Sequence, residues 1–446
     1  MAEQKQMKLG AFFFFPGHHL AAWRYPTAQT DDIFTFEFIQ QQAKLAEQAK
    51  FDMIFFADVF GNEIDEQDRS GLKLDPIVLI AALQAVTKNI GFVSTATTTY
   101  NEPFHIARKF GSIDHLSSGR AAWNIVTSSN GGESTLFGKA THLEHARRYE
   151  RADEFVDVVK KLWYSVEEQA LVVNRETGRF LNKDYTHRVE HHGEWFEVEG
   201  YLDQPETPQG HPVLVQAGSS EAGKEFAAKT AEVIFTAGQS LKAGKAFYDD
   251  VKSRLPKYGR EADDVKIMPG VFITVAKTEE EAKEKQRRLG SYILPEVGLK
   301  YLSAVTDVDF SKYDVDDPFP LEADHEDPSN PQTRYRVIRD LAVQENLMTI
   351  REVYERVAGA RGHREIVGTP EQIVDQLEEW FVNGAADGFN IMPPHFPEGF
   401  QDIIDYVIPE LQKRGLFRTE YEGTTLRENL GLKKPTYEQV FGALTH

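Results

Sequence analysis

Short apolar runs alternate with segments of helical periodicity along most of this chain. Each run is continuously apolar, as expected of a strand that is buried on both faces of a parallel sheet. The clearest run begins after Arg120 and stops abruptly at the polar residues Thr127 and Ser128. By this pattern we predict eight strands: Lys8–Phe15, Phe51–Asp58, Ile90–Thr98, Ala121–Ser128, Pro212–Ser219, Glu232–Thr236, Lys266–Val275 and Gly388–Met392.

Helices are predicted between these strands, from apolar residues spaced three and four positions apart. Some begin with recognisable signals, such as Pro76 in a first turn and Thr369 as a cap before Pro370. Eight strands that alternate with helices predict an α/β protein, a (β/α)8 TIM barrel. The predicted helices are Phe36–Lys50, Pro76–Lys88, Pro103–Leu116, Glu144–Tyr164, Glu221–Ala231, Ala243–Lys257, Glu279–Gly290, 370–383 and, as a C-terminal extension, Gly399–Arg414.

Two segments interrupt the alternation and are predicted to be insertions. Residues 166–208 are polar and turn-rich, with a short β segment near Glu194–Val198, and residues 291–364 contain helical stretches near Tyr335–Glu345 and Thr349–Val357. Both are too long for ordinary connections between a strand and a helix. We therefore expect residues 1–446 to form a single barrel domain with two insertions.

Composition narrows the class of protein. The chain has 446 residues and a formal net charge of −20, which disfavours binding to nucleic acid or to anionic lipid. It has no cysteine, so disulfides, thiolate metal sites and a cysteine nucleophile are excluded, and a reducing compartment suits it. The apolar run Phe12–Phe15 is too short for a membrane span, and no secretion signal is seen. We expect a cytoplasmic protein that does not bind membranes.

Polar residues collect where the predicted strands end, which is where barrel enzymes place their active sites. Asp58 ends the second strand, and it could hold a ligand or cap the next segment. Ser219 and Ser220 precede a helix, where they could bind phosphate or act as ordinary N-caps. His145 and Tyr149 share one face of a helix, and they could bind a phosphate or flank a ring, or simply be solvated.

Several other chemistries lack their signatures. The adjacent histidine pairs 18–19 and 191–192 are poor chelates, because neighbouring side chains of an extended chain point apart. There is no His-Glu-x-x-His motif, no Gly-rich dinucleotide fingerprint after the first strand and no Gly-x-Ser-x-Gly elbow. We therefore expect no metal site, and the dehydrogenase and serine-hydrolase interpretations are weakened.

Motifs over most of the chain resemble the bacterial luciferase-like flavin monooxygenases. Within that family the chain is similar to the group of nitrilotriacetate and EDTA monooxygenase components, dibenzothiophene-sulfone monooxygenase and long-chain alkane monooxygenase. The motifs that carry the resemblance are Ala22-Trp23-Arg24, Phe51-Asp52, Ala57-Asp58, Ser118-Gly119-Arg120, Trp123-Asn124, Val126-Thr127-Ser128, Leu143-Glu144-His145, Arg148-Tyr149, Gln216-Ala217-Gly218-Ser219-Ser220, Ala385-Ala386-Asp387-Gly388-Phe389 and Thr425-Leu426-Arg427.

The resemblance implies a luciferase-like barrel that uses reduced FMN, supplied by a separate NAD(P)H:FMN reductase. Reduced FMN reacts with O2 to give a C4a-(hydro)peroxide, which must be shielded from water. Oxygen is then delivered to a small organic substrate. We favour an N- or S-containing substrate whose C–N or C–S bond is cleaved afterwards. The family also implies a homodimer or homotetramer.

The resemblance further implies which residues contact FMN. Ser219, Ser220 and Tyr149 suit its phosphate, while Asp58 and Thr95 suit its ring or ribityl chain. The positions that match the family's FMN contacts are Asp58, Thr95, His145, Tyr149 and Ser220, to which we add the neighbours Ser128 and Ser219.

A histidine near the end of the first strand is the family's candidate acid/base or peroxide stabiliser. We assign this catalytic role to His18, with His19 left open as the alternative. The segment after the first strand and the second insertion are the expected lids. Arg24, Arg108 and Lys109 are candidates for binding substrate carboxylates, each with an equally good structural role.

Three other functions remain as alternatives at this stage. The first is an F420-dependent oxidoreductase of the same superfamily, and the second is a non-catalytic flavin-binding barrel. The third, a metal-dependent barrel hydrolase, is disfavoured by the poor spacing of possible ligands.

Overall fold

Nine parallel strands form the central sheet in the computed structural model. The structure describes residues 5–61, 66–67, 72–128, 130–306, 308–321, 334–360 and 362–441. The strands in these residues are β1 Lys8–Phe12, β2 Met53–Phe56, β3 Gly91–Thr97, β4 Ala121–Val126, β5 Leu171–Asn174, β6 Arg179–Leu181, β7 Val189–His192, β8 Glu197–Gly200, β9 Val213–Gln216, β10 Val233–Thr236, β11 Lys266–Val275, β12 Arg364–Gly368 and β13 Gly388–Met392. Eight strands of the central sheet close into a barrel in the order β1-β2-β3-β4-β9-β10-β11-β13, with β13 paired back to β1, and β12 pairs outside the barrel with β11.

The predicted (β/α)8 barrel is confirmed, with all eight strands in place. Several strands end earlier than predicted: β1 stops at Phe12 rather than Phe15, and β2 stops at Phe56 rather than Asp58. The polar residues that follow these strands therefore lie in loops at the barrel mouth. Strand β12 was not predicted, since its short sequence begins with the charged residues Arg364 and Glu365.

Helices surround the barrel and continue past its last strand. The predicted helix Gly399–Arg414 is interrupted by a π-helical turn, Ile403–Val407. In the described residues the α-helices are α1 Phe36–Gln48, α2 Pro76–Leu83, α3 Pro103–Ser117, α4 Glu133–Leu136, α5 His145–Trp163, α6 Glu221–Thr230, α7 Leu241–Arg254, α8 Glu279–Gly290, α9 Pro295–Thr306, α10 Arg334–Glu345, α11 Ile350–Val357, α12 Pro370–Val382, α13 Glu398–Asp402, α14 Ile408–Lys413, α15 Leu426–Asn429 and α16 Tyr437–Phe441. Of these, α4, α9, α15 and α16 were not predicted.

One apolar cluster fills the inside of the barrel, and a larger one lies between the strands and the surrounding helices. Side chains of the inner cluster include Phe55, Val93 and Met268 from the strands. Leu426 and Leu430, which lie beyond the C-terminal extension, belong to the same cluster, and Leu426 packs against the first residue of β3. These two leucines therefore close the end of the barrel at which the strands begin, and the opposite end carries the mouth.

Each insertion has its own secondary structure. Residues 166–208 form two antiparallel hairpins, β5–β6 and β7–β8. The second insertion packs α9, α10 and α11 around a separate apolar cluster, which also includes Ala21 from the segment after β1. Of its residues, 307, 322–333 and 361 lie outside the described part of the chain. The assignment of the chain to one domain with these boundaries stays a prediction.

The Gly-Arg turn before β4 has a structural role. Arg120 is buried, and its guanidinium donates hydrogen bonds to the carbonyl oxygens of Ser117, Gln84, Thr87 and Ile90. The bonds to Gln84 and Ser117 satisfy carbonyl groups that the ends of α2 and α3 leave without helical partners. Separately, none of the described helices is both long and apolar enough to span a membrane.

Candidate active site

A cavity of about 260 Å³ opens at the carboxyl ends of β2, β3, β4 and β9. This is the edge at which parallel β/α-barrels place their active sites. The cavity brings together five of the eight residues that the sequence analysis assigned to FMN binding or catalysis, from three strand ends and from the start of α5. These five residues are Asp58, Thr95, Ser128, His145 and Tyr149.

Asp58 lies two residues beyond β2, with 14% of its side chain exposed. Burial raises the pKa of its carboxyl group from 3.8 to about 6, and Asp75 and Glu133 act in the same direction. The nearby Lys73, whose Nζ lies 3.7 Å from Oδ1, only partly offsets this rise in pKa. Asp58 can therefore change its protonation state near neutral pH, as functional carboxyl groups often do.

We expect Asp58→Asn to stabilise the fold at neutral pH. Because folding raises the pKa of Asp58, its ionised form opposes folding, and the wild-type protein becomes less stable as pH rises from 3.8 through 6. The variant should exceed the wild type in free energy of unfolding by about 3 kcal/mol at pH 8 and by about 1 kcal/mol at pH 4.5. Urea titrations of both proteins at the two pH values measure the difference.

Asp184→Asn, at an exposed carboxylate of the first insertion, is the matched control, and it should change little at either pH. A gain in the Asp58 variant that is the same at both pH values would contradict the assignment of the raised pKa.

Buried hydroxyl groups form a second part of the cavity wall. Thr95 Oγ1 donates a hydrogen bond of 2.8 Å to Phe56 O and accepts one of 2.8 Å from Asn124 Nδ2. Ser128 Oγ donates to Thr97 Oγ1 at 2.8 Å, and its backbone is in the left-handed region with φ of 56°. Since each donor is already bonded within the protein, these side chains are held in fixed positions at the strand ends.

The first two turns of α5 supply a cationic and aromatic part of the wall. His145 begins the helix, and its ring lies 5.0 Å from the ring of Tyr149. Arg148 is buried, and its Nη1 donates to Ser128 O and to His142 Nε2. Nε2 of His142 also lies 3.2 Å from Ser128 O, and its Nδ1 forms a hydrogen bond of 2.7 Å with the hydroxyl of Tyr100.

Ser219 and Ser220 lie outside the set of residues that line the cavity, and both are exposed. Ser220 caps α6 by accepting a hydrogen bond from Gly223 N at 3.1 Å. The helix start is nevertheless close to the cavity, since a Cβ on Gly223 would lie 3.0 Å from the hydroxyl of Tyr149. Their role in phosphate binding stays a prediction, and the N-cap that the sequence also allowed is present at Ser220.

His18 and His19 point in different directions from the segment after β1. His18 is buried between the rings of Phe12 and Phe14, and its Nε2 lies 3.0 Å from Phe12 O. His19 accepts a hydrogen bond from Ala21 N, and burial lowers its pKa to about 3. Neither histidine lines the main cavity, so the catalytic assignment of His18 stays a prediction.

The three cations proposed for substrate carboxylates differ in their surroundings. Arg24 donates to Tyr292 O at the start of the second insertion, and Arg108 forms a salt bridge of 3.0 Å with Asp203. Both therefore have structural partners. Lys109 lines the cavity and is exposed.

Glu133 was missed by the sequence analysis, and Arg148 was named only as part of the Arg148-Tyr149 motif, without a role in the site. Both line the cavity and are buried. Arg148 could have been found from its position three residues after His145, on the same helix face. Glu133 follows two glycines in a loop, and no sequence pattern indicates it. Within the described ranges, no group of three or more potential ligands is placed to hold a metal ion.

The luciferase-like monooxygenase family model matches residues 9–388, and the chain belongs to this family of flavin-dependent monooxygenases. It is similar to nitrilotriacetate monooxygenase component A of Aminobacter aminovorans, with 49% identity over 98% of both chains. It is 48% identical to N-acetyl-S-(2-succino)cysteine monooxygenase of Bacillus subtilis strain 168, over 97% of this chain and 98% of the relative.

A solved structure supports the same placement. The structure of a riboflavin lyase with modified FMN and riboflavin matches with a TM-score of 0.83 and 32% identity, covering 98% of this chain and 99% of the other. Both the predicted family and the predicted fold are therefore confirmed.

Proposed function

We propose that this protein is the oxygenase component of a two-component system. It accepts FMNH2 from a separate NAD(P)H:FMN reductase and uses O2 to oxygenate a small N- or S-containing organic substrate. The observation that carries this proposal is the cavity at the carboxyl ends of four barrel strands, lined by Asp58, buried hydroxyl groups and Tyr149, in a chain of the monooxygenase family. The names of two relatives, a nitrilotriacetate and an S-substituted cysteine monooxygenase, support this substrate class.

The residues present suit a flavin mononucleotide. Reduced FMN, when bound, supplies the electrons that activate O2. Tyr149 and the N-terminus of α6 would hold its phosphate, because helix N-termini attract anions. Glycine at position 223 lets the Tyr149 hydroxyl lie against this helix start. Asp58 and Thr95 would contact the ring or the ribityl chain.

The segment after β1 and the second insertion would exclude water from the site. The two are packed together, since Ala21 belongs to the apolar cluster of the insertion. His18 lies on that segment, and Nε2 carries its proton when it donates to Phe12 O. We propose that His18 exchanges this proton with the reacting groups. Oxygenation beside N or S leaves a product that breaks its C–N or C–S bond.

Oxygen uptake tests the proposal directly. Purified protein is mixed with FMN, NADH and an added flavin reductase, across N- and S-containing carboxylates, aryl sulfones and alkanes. With one class we expect O2 consumption that exceeds peroxide formation and matches product. The reductase without this protein is the control, and it should convert O2 to peroxide alone. Peroxide alone with every substrate class would contradict the proposed function.

The alternatives receive no support from the relatives reported above, two of which are named monooxygenases. An F420-dependent oxidoreductase would turn over without O2, and a non-catalytic barrel would bind FMN without turnover. We also propose a cytoplasmic homodimer or homotetramer. The lack of cysteine suits the reducing compartment, and light scattering measures the oligomeric state.

A further inference from the structure

Two buried side chains in the cavity wall have polar atoms without a hydrogen-bond partner among the described residues. Glu133 begins α4 and is 2% exposed, and its Oε2 has no partner. Arg148 is 8% exposed, and its Nε has no partner although Nη1 is bonded. Buried polar groups are nearly always satisfied in native proteins, so each exception requires an explanation. Both residues line the same cavity, which points to a ligand as the partner.

The two unpartnered atoms, Glu133 Oε2 and Arg148 Nε, indicate the chemistry of that ligand. The carboxylate of Glu133 accepts a hydrogen bond, whereas Nε–H of Arg148 donates one. Asp58 and Asp75 also line this cavity, so a phosphate beside them would meet like charges. A hydroxyl group both donates and accepts, and a chain of hydroxyls can serve all of these partners. The wall therefore suits a polyol.

We propose that Glu133 and Arg148 bind the hydroxyl-bearing ribityl chain of the flavin, between its ring and its phosphate. This inference rests on the proposed function, because that function supplies the flavin. The phosphate then lies toward Tyr149 and the start of α6, away from the carboxyl groups. Glu133 is thus a residue that selects flavins with a ribityl chain.

Glu133→Met tests this assignment, because methionine has a similar size and no acceptor. FMN, riboflavin and lumiflavin, which lacks the ribityl chain, are titrated against the protein by flavin fluorescence. We expect the dissociation constants of FMN and riboflavin each to rise about tenfold, with that of lumiflavin unchanged. Glu133→Gln keeps an acceptor and should lose less affinity. Without flavin, the Met variant should melt no lower than the wild type, since it removes an unpartnered buried carboxylate.

Glu144→Met is the matched control, because Glu144 is exposed and caps no backbone group with its side chain. It should leave all three affinities unchanged. Equal losses for lumiflavin would assign Glu133 to the ring, and a loss for FMN alone would assign it to the phosphate. Either result, or unchanged affinities, overturns the inference while the proposed function stands. Failure of the wild-type protein to bind FMN would overturn the proposed function itself.

Discussion

Replacement of Gly388 by alanine is expected to prevent the barrel from closing. Gly388 begins β13 and is paired in register with Lys8 of β1. A Cβ at this position would lie 1.9 Å from the carbonyl oxygen of Lys8, which is a main-chain atom that cannot move without separating the strands. We therefore expect a loss of about 4 kcal/mol or more in the free energy of unfolding, which is exceptional for one methyl group. Urea titration and the yield of folded protein measure this effect.

A graded series of glycine variants provides the controls. A Cβ on Gly10 would meet the side-chain oxygen of Asn390 at 2.6 Å, and that side chain can shift. Gly10→Ala should therefore cost about 1–3 kcal/mol. A Cβ on Gly131 would meet nothing within 4 Å, and Gly131→Ala should change stability by less than about 0.5 kcal/mol. A Gly388 variant as stable as the Gly131 variant would show that this close approach does not limit the fold.

Arg427→Met should have the second large effect, because it leaves a buried carboxylate without its counter-charge. Arg427 is 2% exposed, and its guanidinium contacts both carboxylate oxygens of Glu232 and donates to His211 O at 3.1 Å. Burial alone would raise the pKa of Glu232, but Arg427, together with His211 and the N–H of Leu214, outweighs burial and lowers the pKa to about 2. Removing one partner of a buried pair costs about 3–5 kcal/mol. Urea titration at pH 7 measures the loss.

The loss in the Arg427 variant should depend on pH. Because folding depresses the pKa of Glu232, the ion pair stabilises the fold above pH 4.5 and less as pH falls toward 2. The difference from the wild type should shrink over that window, and Glu232→Gln in the same chain should restore part of the stability. Lys433→Ala removes an exposed pair with Glu261 and should cost less than about 0.5 kcal/mol. A loss of stability in Lys433→Ala as large as that in Arg427→Met would contradict the argument that burial makes the Arg427–Glu232 pair important.

The sequence predicts the barrel well because its strands are buried on both faces. Their continuous apolar runs are not mistaken for amphipathic helices, and all eight were found. Strand β12 was missed because it pairs only with the C-terminal half of β11 and three of its five residues are partly exposed. The helix after Gly399 was predicted as one element, because a π-helical turn keeps the apolar periodicity nearly intact.

The candidate site is only partly predictable, for a different reason. Asp58 and Ser128 follow strands, Thr95 lies near the carboxyl end of β3, and the barrel brings all of these strand ends to one edge. The position of Glu133, at the start of α4, depends on the segment between β4 and α4, which has no periodicity. Arg120 is the reverse case. Its motif is part of the family resemblance, but its side chain binds carbonyl groups and does not line the cavity.

The closure of the barrel by Leu426 and Leu430 also sets an order in time. These residues complete the inner apolar cluster, yet they follow all of the described strands in sequence. A ribosome synthesises these strands before it reaches the two leucines, so the nascent barrel stays open at the end where its strands begin until the leucines have been added. A message truncated ahead of codon 426 would yield a chain with a full set of strands and an unsealed interior. Such a chain would be recognised by chaperones and proteases rather than accumulate.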